Sequence, residues 1–507
     1  MIARKIRELR DLAPILADLK AAGKTIVQCH GVFDLLHPGH IRHISEARHQ
    51  GDILVVTVTA DRHVNKGPGR PLFNQVLRAE TLASLESVDF VVINDNPTAV
   101  EAIKALRPDV YVKGGDYVDS EADITGKIVD EAETVESVGG RIHFTDDIRF
   151  SSSSLINQNF LPFPPETMQW LDSFRRRRSE KEILDALEGI SSLNVLVVGE
   201  GIVDEYVFCA GLGKASKDPI LAFLHQSAEA HAGGAFAVAN HLGDFCESVE
   251  VVTLVGETNS HRSFINRALH PNVRWHPITQ PGAPTLSKCR YVDDHTGAKI
   301  FEIYQMDDAP LDEGVETQVI DTVNGLIDRA DVVVVPDFGH GLMTPSLIDL
   351  VVEKSKFLVV NAQANAGNRG FNTISKYPRA DYVCIAGHEM ELETRMRNSN
   401  PRKLLSELIK RIDCPRFTVT LGRAGTIHHE RNGGFFEAPA LAPKVVDRVG
   451  AGDAVLAITG ALVAVATPWD IVALVANAAG AEMVSDLGNR ITLTRANLSK
   501  HLTTLLK

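Results

Sequence analysis

Short β-branched apolar runs, separated by stretches with helical spacing, recur along this sequence and constrain its fold more than any other feature. They are Thr25–Gln28, Ile53–Val58, Phe90–Ile93 and Val110–Val112, and then Val195–Val198, Val251–Val255, Val332–Val335, Phe357–Val360 and Thr418–Thr420. Runs that are apolar throughout, with no polar alternation, predict parallel strands buried on both faces. Helices between them predict α/β layers in both halves. The regular pattern breaks once, at Leu161-Pro-Phe-Pro-Pro165, because proline lacks a donor and restricts its predecessor. Four arginines (Arg175 to Arg178) and an amphipathic stretch, Glu180–Leu187, follow. The arginine run reads as the solvated face of a linker helix, with an anion or acidic partner as the alternative. The expected organisation is a domain over 1–160, a linker over 161–190 and a larger domain over 191–507, in keeping with 507 residues.

Composition excludes several classes. With 44% hydrophobic and 23% charged residues the chain is not disordered. A net charge of -13 argues against a nucleic-acid partner, which calls for a basic footprint, but not against small anions held by local donors. Six cysteines without a CxxC pair make a metal cage or disulfide framework weak readings and suggest a reducing compartment. The longest apolar stretch, Ala454–Thr467, is too short to span a bilayer. A cytoplasmic protein without a membrane partner is the expectation. Ile6, Leu9, Leu12, Leu16 and Leu19 form a helical stripe, which predicts a helix packing on a domain or a second subunit.

Chemistry concentrates in two places. After the first strand comes Cys29-His-Gly-Val-Phe-Asp-Leu-Leu-His-Pro-Gly-His40, leading into a helix predicted over Ile41–His49. Gly31 permits a close turn. His37 and His40 then stand at a helix start, where free N–H groups and imidazoles can hold a triphosphate and neutralise charge developing on phosphorus. With Gly31, Phe33 and Asp34 ahead of it, this HxGH element resembles the nucleotidyltransferases that join a nucleoside monophosphate to a phosphorylated small molecule, over about 25–157. The resemblance makes Lys66, in Asn-Lys-Gly-Pro-Gly-Arg-Pro, a phosphate-binding lysine. It puts Gly31, Phe33, Asp34, Arg78, Gly114, Gly115, Asp116 and the serines Ser152, Ser153 and Ser154 at the nucleotide. The string Val112-Lys-Gly-Gly-Asp-Tyr117 closely matches heptose 1-phosphate adenylyltransferases. The implied reaction is attack of a sugar 1-phosphate oxygen on the α-phosphorus of a nucleoside triphosphate, with Mg²⁺ assisting. The residues alone do not separate ATP from CTP, and the resemblance tilts toward ATP.

The second place is Asp447-Arg-Val-Gly-Ala-Gly-Asp453, ahead of an apolar helix. Gly450, Ala451 and Gly452 can bring backbone amides together at the helix start, and Asp453 is placed to act as base on a sugar hydroxyl. This closely resembles the (D/N)xxGAGD element of ribokinase-like, PfkB-type sugar kinases, over about 191–507. The resemblance implies sugar-side roles for Asp204, Gly233, Gly234 and Asp337, nucleotide-side roles for Gly422, Gly425 and Asn477, Mg²⁺ linkage for Glu389, and a small β lid near 204–224 and 284–304 through which such kinases often dimerise. Four positions depart from the pattern: Glu200 for a first-strand aspartate, Ala237 for an asparagine, Ala386-Gly-His-Glu389 for Asn-x-x-Glu, and Asn361-Ala-Gln363 for Asp-Pro-Lys.

Together the modules resemble bifunctional heptose 7-phosphate kinase / heptose 1-phosphate adenylyltransferases with the module order reversed. The expected fold is α/β: a Rossmann-like transferase domain followed by a ribokinase-like domain with its lid. The expected function is a sugar-phosphate kinase and sugar 1-phosphate nucleotidyltransferase serving surface-glycan synthesis, with small-molecule substrates and homo-oligomeric assembly. The alternatives are an active transferase with a degenerate kinase domain used for binding or dimerisation, and a CTP-dependent polyol-phosphate cytidylyltransferase.

Overall fold

The structure, a computed structural model, describes residues 2–114, 127–145 and 163–507. The chain forms two compact units, Met1–Pro164 with Ser499–Lys507, and Pro165–Leu498.

The first unit is built on five parallel strands, β1 (Ile26–Gly31), β2 (Ile53–Thr59), β3 (Phe90–Asn94), β4 (Val110–Gly114) and β5 (Arg141–Thr145), in the order β3-β2-β1-β4-β5. Alternate residues serve opposite faces, as the two-residue period of a strand requires. Val27, Cys29, Leu54, Val56 and Val58 join one core cluster with Ile44 and Leu82; Ile26, Val55 and Val92 join another with Leu12 and Leu16. The helix Leu9–Ala21 carries the expected stripe but starts after Ile6. Residues 5–7 are instead extended: Ile6 bridges Val91, and Lys5 and Arg7 exchange backbone hydrogen bonds with it, so sheet pairing outcompetes the extra helical turn.

The second unit has a nine-stranded sheet and a four-stranded one. Its strands in chain order are β6 (Asn194–Val198), β7 (Gly201–Lys214), β8 (Leu221–Gly234), β9 (Ser248–Thr258), β10 (Val273–Pro284), β11 (Ser287–Asp293), β12 (Lys299–Gln305), β13 (Val332–Asp337), β14 (Leu358–Ala362), β15 (Tyr382–Ala386), β16 (Arg416–Thr420), β17 (Thr426–Glu430) and β18 (Gly434–Ala438). The large sheet runs β10-β9-β6-β13-β14-β15-β16-β17-β18, parallel except for the last two pairings. The smaller sheet, β12-β11-β7-β8, occupies the segments expected to form a lid. A core of valine, leucine and isoleucine from β6, β13, β14, β15 and β16 is sealed by the helices Glu313–Ile327, Pro345–Lys354 and Pro401–Leu408. The helices Ala451–Ala464 and Trp469–Met483 are buried along nearly their whole length.

The stretch expected as a linker differs. From Pro165 onward it consists of two helices, Pro165–Arg175 and Glu180–Glu188, the second opened by a capping box between Ser179 and Glu182. Leu171, Phe174, Ile183 and Leu187 are buried, Trp170 donates to the Glu437 carbonyl, and Arg178 makes a bidentate pair with Asp470 at 2.8 and 3.1 Å. The stretch expected as a linker therefore packs its apolar side chains into the second unit, while Arg176 and Arg177 of the arginine run stay exposed. The expected end of the larger domain shifts too, since residues 499–507 group with the first unit. All three tryptophans lie in the second unit. Phe174→Ala, which empties a fully buried ring site, is expected to lower that unit's unfolding free energy by about 3–5 kcal/mol, read by tryptophan fluorescence in urea.

Candidate active sites

In the first unit the chain crosses from β1 to opposite sides of the sheet at β2 and β4, so a crevice opens beyond the carboxyl ends of β1 and β4. The helix Pro38–Arg48 starts there, three residues earlier than expected, because Pro38 suits a first helical turn and His37 caps it, Nδ1 accepting from Gly39 N at 3.2 Å. The His37 and His40 rings stack with centroids 3.9 Å apart and 24° between planes, and Phe33 meets His40 edge-on at 5.3 Å. His40 Nδ1 is buried without a hydrogen-bond partner. Burial above all, then His37, Lys66 and His43, push its pKa down to about 3, so the ring is neutral. A triphosphate at the helix start would favour its protonation. Half-buried Lys66 is pushed down to about 8 by desolvation, with Asp34 opposing.

Two residues assigned by resemblance to the nucleotide are occupied elsewhere. Asp34 is buried and accepts from Leu72 N (2.6 Å) and Phe73 N (3.2 Å), with Arg70 at 3.4 Å, which anchors the loop carrying Lys66. The Arg78 guanidinium is buried on the carbonyls of Val32, Thr59 and Phe73 and the Asp61 carboxylate. Both side chains thus hold the fold around the loop, alongside the nucleotide role expected of them. Gly31 lies under Phe33, where a Cβ would come within 3.1 Å of the ring, and Gly114 ends β4. Gly115, Asp116, Ser152, Ser153 and Ser154 lie outside the described residues.

In the second unit, Asp453 sits in the first turn of Ala451–Ala464, almost fully buried. Gly450 caps that helix with φ +83°, and a Cβ there would lie 2.0 Å from Asn489 Oδ1, so the sharp entry admits only glycine. Nothing lies within 4 Å of a Cβ built on Gly452, which leaves the helix start, with Ala451, open to an anion. Gln363 Nε2 donates to Asp453 Oδ1 at 2.9 Å, from the position where the resembling kinases carry a lysine. Asp204 pairs with Arg290 at 2.5 Å and accepts from Asn489 at 3.0 Å. A Cβ on Gly233 would stand 2.0 Å from Asp204 Oδ2, so this glycine lets the carboxylate approach; Gly234 ends β8 beside it. Burial, with Asp204 adding repulsion, pushes Asp453 up to about 7, and burial likewise pushes Glu389 up to about 7.

Other expected residues are placed as framework. Asp337 is fully buried, taking hydrogen bonds from Gly339 N, Asn372 and Tyr377 and an ion pair from Lys376 at 2.5 Å. Asn477 is buried and donates to Thr426 Oγ1 and the Ala473 carbonyl. Gly422 and Gly425 form the turn between β16 and β17, closed by Leu421 N on the Gly425 carbonyl. Both Glu389 oxygens accept backbone N–H groups, from Ala364 (3.1 Å) and Ala386 (2.7 Å). No cluster of three metal-ligating side chains exists among the described residues. The donor set fits a Mg²⁺ carried by nucleotide phosphates and water, with Glu389 beside it, better than a resident metal. The sequence marked Gln363 only as a departure from Asp-Pro-Lys and did not flag Arg290 or Asn489, because only tertiary contact makes them partners of Asp453 and Asp204.

A base near 7 has a kinetic consequence. Proton uptake from the acceptor requires the carboxylate, so phosphoryl transfer is expected to rise with pH through about 7 and level off above it. Gln363 favours the ionised form, and Asp204, Lys288 and Glu389 face it in common to wild type and variant; Gln363→Leu is therefore expected to move that limb to higher pH. A pH–rate profile of kcat/KM checks both.

A model of cytidylyltransferase-like proteins matches residues 29–159, and a model of pfkB family carbohydrate kinases matches residues 193–495. "Bifunctional protein HldE" of Syntrophotalea carbinolica is 40% identical over 159 residues, 31% of this chain and 31% of that protein. The protein of the same name from Geotalea uraniireducens is 43% identical over 154 residues, 30% of each. Both likenesses fall in the N-terminal part, so the match spans less than a third of these relatives. Phosphofructokinase-2 from Escherichia coli, in its tetrameric inhibited form, superposes with TM-score 0.50 at 16% identity, covering 62% of this chain and all of that one, which speaks to fold alone.

Proposed function

With residues 193–495 matched, the chain belongs to the pfkB family of carbohydrate kinases, and from that premise we propose that it is bifunctional: a kinase for a sugar phosphate, joined to a nucleotidyltransferase for a sugar 1-phosphate. The sugar is of the heptose type and the product an activated sugar for surface glycans. The observation that carries the reading is the buried Asp453 carboxylate at a glycine-framed, open helix start in a chain that also holds the stacked His37–His40 pair.

In the kinase step, an acceptor hydroxyl oxygen attacks the γ-phosphorus of ATP. Its proton passes to Asp453, the bond to the ADP oxygen breaks, and the amides at Gly450–Gly452 hold the charge on the transferred group. Asp204, held by Arg290 and Asn489, is positioned to accept from sugar hydroxyls. Mg²⁺ supplies charge neutralisation on the phosphates when bound. In the transferase step, a 1-phosphate oxygen attacks the α-phosphorus and pyrophosphate leaves without net proton transfer. His37, His40 and Lys66 orient and neutralise the triphosphate. The degenerate-kinase alternative is not favoured, because the four departures leave the base hydrogen-bonded and the helix start open.

Purified protein with ATP, Mg²⁺ and a panel of sugar 6- and 7-phosphates should release ADP, and Asp453→Asn should remove that turnover by at least about 10³-fold; no Asp453-dependent turnover on any acceptor refutes the kinase half. Pyrophosphate release with heptose 1-phosphate, run with ATP and CTP in parallel, should prefer ATP and fall by about 10²-fold or more in His40→Ala. A homodimer through the four-stranded sheet fits Leu212, Leu221, Leu224 and Phe301, each roughly half exposed or more. Leu224→Glu should then shift the sedimentation coefficient to that of a monomer.

A further inference from the structure

The second unit buries a lysine that has no direct ion pair among the described residues, although Asp204, Glu302 and Asp453 act on it at longer range. Lys288, on β11, is 5% exposed, and its ammonium makes no hydrogen bond or ion pair among the described residues. It stands 4.9 Å from the Tyr304 ring centroid and 5.7 Å from that of Phe338. The other basic side chains of these strands are committed: Arg290 to Asp204 and Glu302, Lys299 to Asp447. The carboxylates that Lys288 senses are likewise engaged, Asp204 by Arg290 and Asn489, Glu302 by Arg290 and Tyr304, Asp453 by Gln363. A buried ammonium without a counter-charge costs several kcal/mol in real proteins, and such a position persists where a ligand supplies the missing anion.

A second donor lies nearby, two residues after Phe338, whose ring Lys288 approaches. His340 Nε2 is buried and has no hydrogen-bond partner. The charge of Lys288 is, after burial, the next cause holding this imidazole down at about 4, which places the two groups in one electrostatic neighbourhood and keeps the ring neutral. The loop carrying it is rigid, because the Glu200 carboxylate accepts from Phe338 N, His340 N and Leu342 N.

Register says which substrate this space serves. Lys288 pairs directly with Asp204 across the parallel β11–β7 ladder, so both side chains project from the same face, the one on which Asp204 meets the acceptor. The nucleotide's transferred phosphate has its own cradle at the Gly450–Gly452 helix start. We propose that Lys288 and His340 form an anion pocket that holds a phosphate monoester already carried by the kinase's acceptor, making a phosphorylated sugar the preferred substrate over its unphosphorylated parent. This rests on the kinase reading above and assigns residues to it that no sequence motif marks.

The test uses the full chain with phosphorylated sugars and each unphosphorylated parent, ATP and Mg²⁺. The phosphorylated member should be preferred, and Lys288→Met should cut its kcat/KM by about ten- to a hundredfold, chiefly through KM, while leaving the KM for ATP unchanged and shrinking the preference over the parent sugar. His340→Gln, which keeps an N–H donor, should retain more of that preference than His340→Leu. Inorganic phosphate should compete with the acceptor and not with ATP. A raised KM for ATP in Lys288→Met would instead give the pocket to the nucleotide, and equal use of parent sugars would overturn the proposal. Should no Asp453-dependent turnover occur at all, the kinase reading fails separately. Titration calorimetry with inorganic phosphate then decides the pocket: binding lost in Lys288→Met supports it, and binding equal to wild type, or absent from both, overturns it.

Discussion

A parallel sheet buried on both faces leaves its polar chemistry nowhere to go but the loops beyond its strand ends. In the first unit alternate strand residues are consumed by two opposed clusters, so Gly31 and Gly114 are where the backbone meets the crevice. In the second unit the same constraint sends Glu200, Asp337 and Gln363 to the ends of β6, β13 and β14, and it brings Asp453 to them at a helix start. Helix N-termini, with their unpaired N–H groups, then make phosphate the natural ligand of both places.

Keeping those loops in one shape falls to carboxylates that bind backbone amides. Asp34 closes the Lys66 loop through two backbone amides, Asp447 holds Arg448 N, Val449 N and Gly488 N around the glycine turn, and Glu200 binds three amides of the His340 loop. Each converts a polar segment with few hydrogen-bond partners of its own into a fixed frame. Glu200 thus explains one departure from the kinase pattern: its side chain reaches across to the β13 loop. Gln363 explains another, for a neutral amide can orient the base while leaving its affinity for protons high, where an ammonium would lower it.

Motif reading and structure part at such residues. Asp34, Arg78, Asp337 and Asn477 sit inside or near recognisable strings, and all four make hydrogen bonds to internal partners. A string marks the neighbourhood of a site without saying which polar group faces the ligand and which faces the fold. That distinction depends on where acceptors from distant segments lie, as with the Thr59 carbonyl under Arg78 and Tyr377 against Asp337.

What the sequence by itself determined is the layer architecture, the strand runs, the break near the prolines, and the positions of the two anion-binding helix starts, because hydrophobic period, proline and glycine act over a few residues. The HxGH and GAGD elements are likewise local, each needing one turn and one helix. Only the tertiary structure decided that residues 165–190 are core helices, that Ile6 pairs with β3, and that Gln363, Asn489 and Arg290 surround the carboxylates. The same holds for Lys288, buried opposite Asp204 without a direct ion pair among the described residues. The physical reason is that burial and electrostatic partnership are properties of pairs far apart in the chain, and a cation's missing partner becomes visible only once every neighbour around it has been placed.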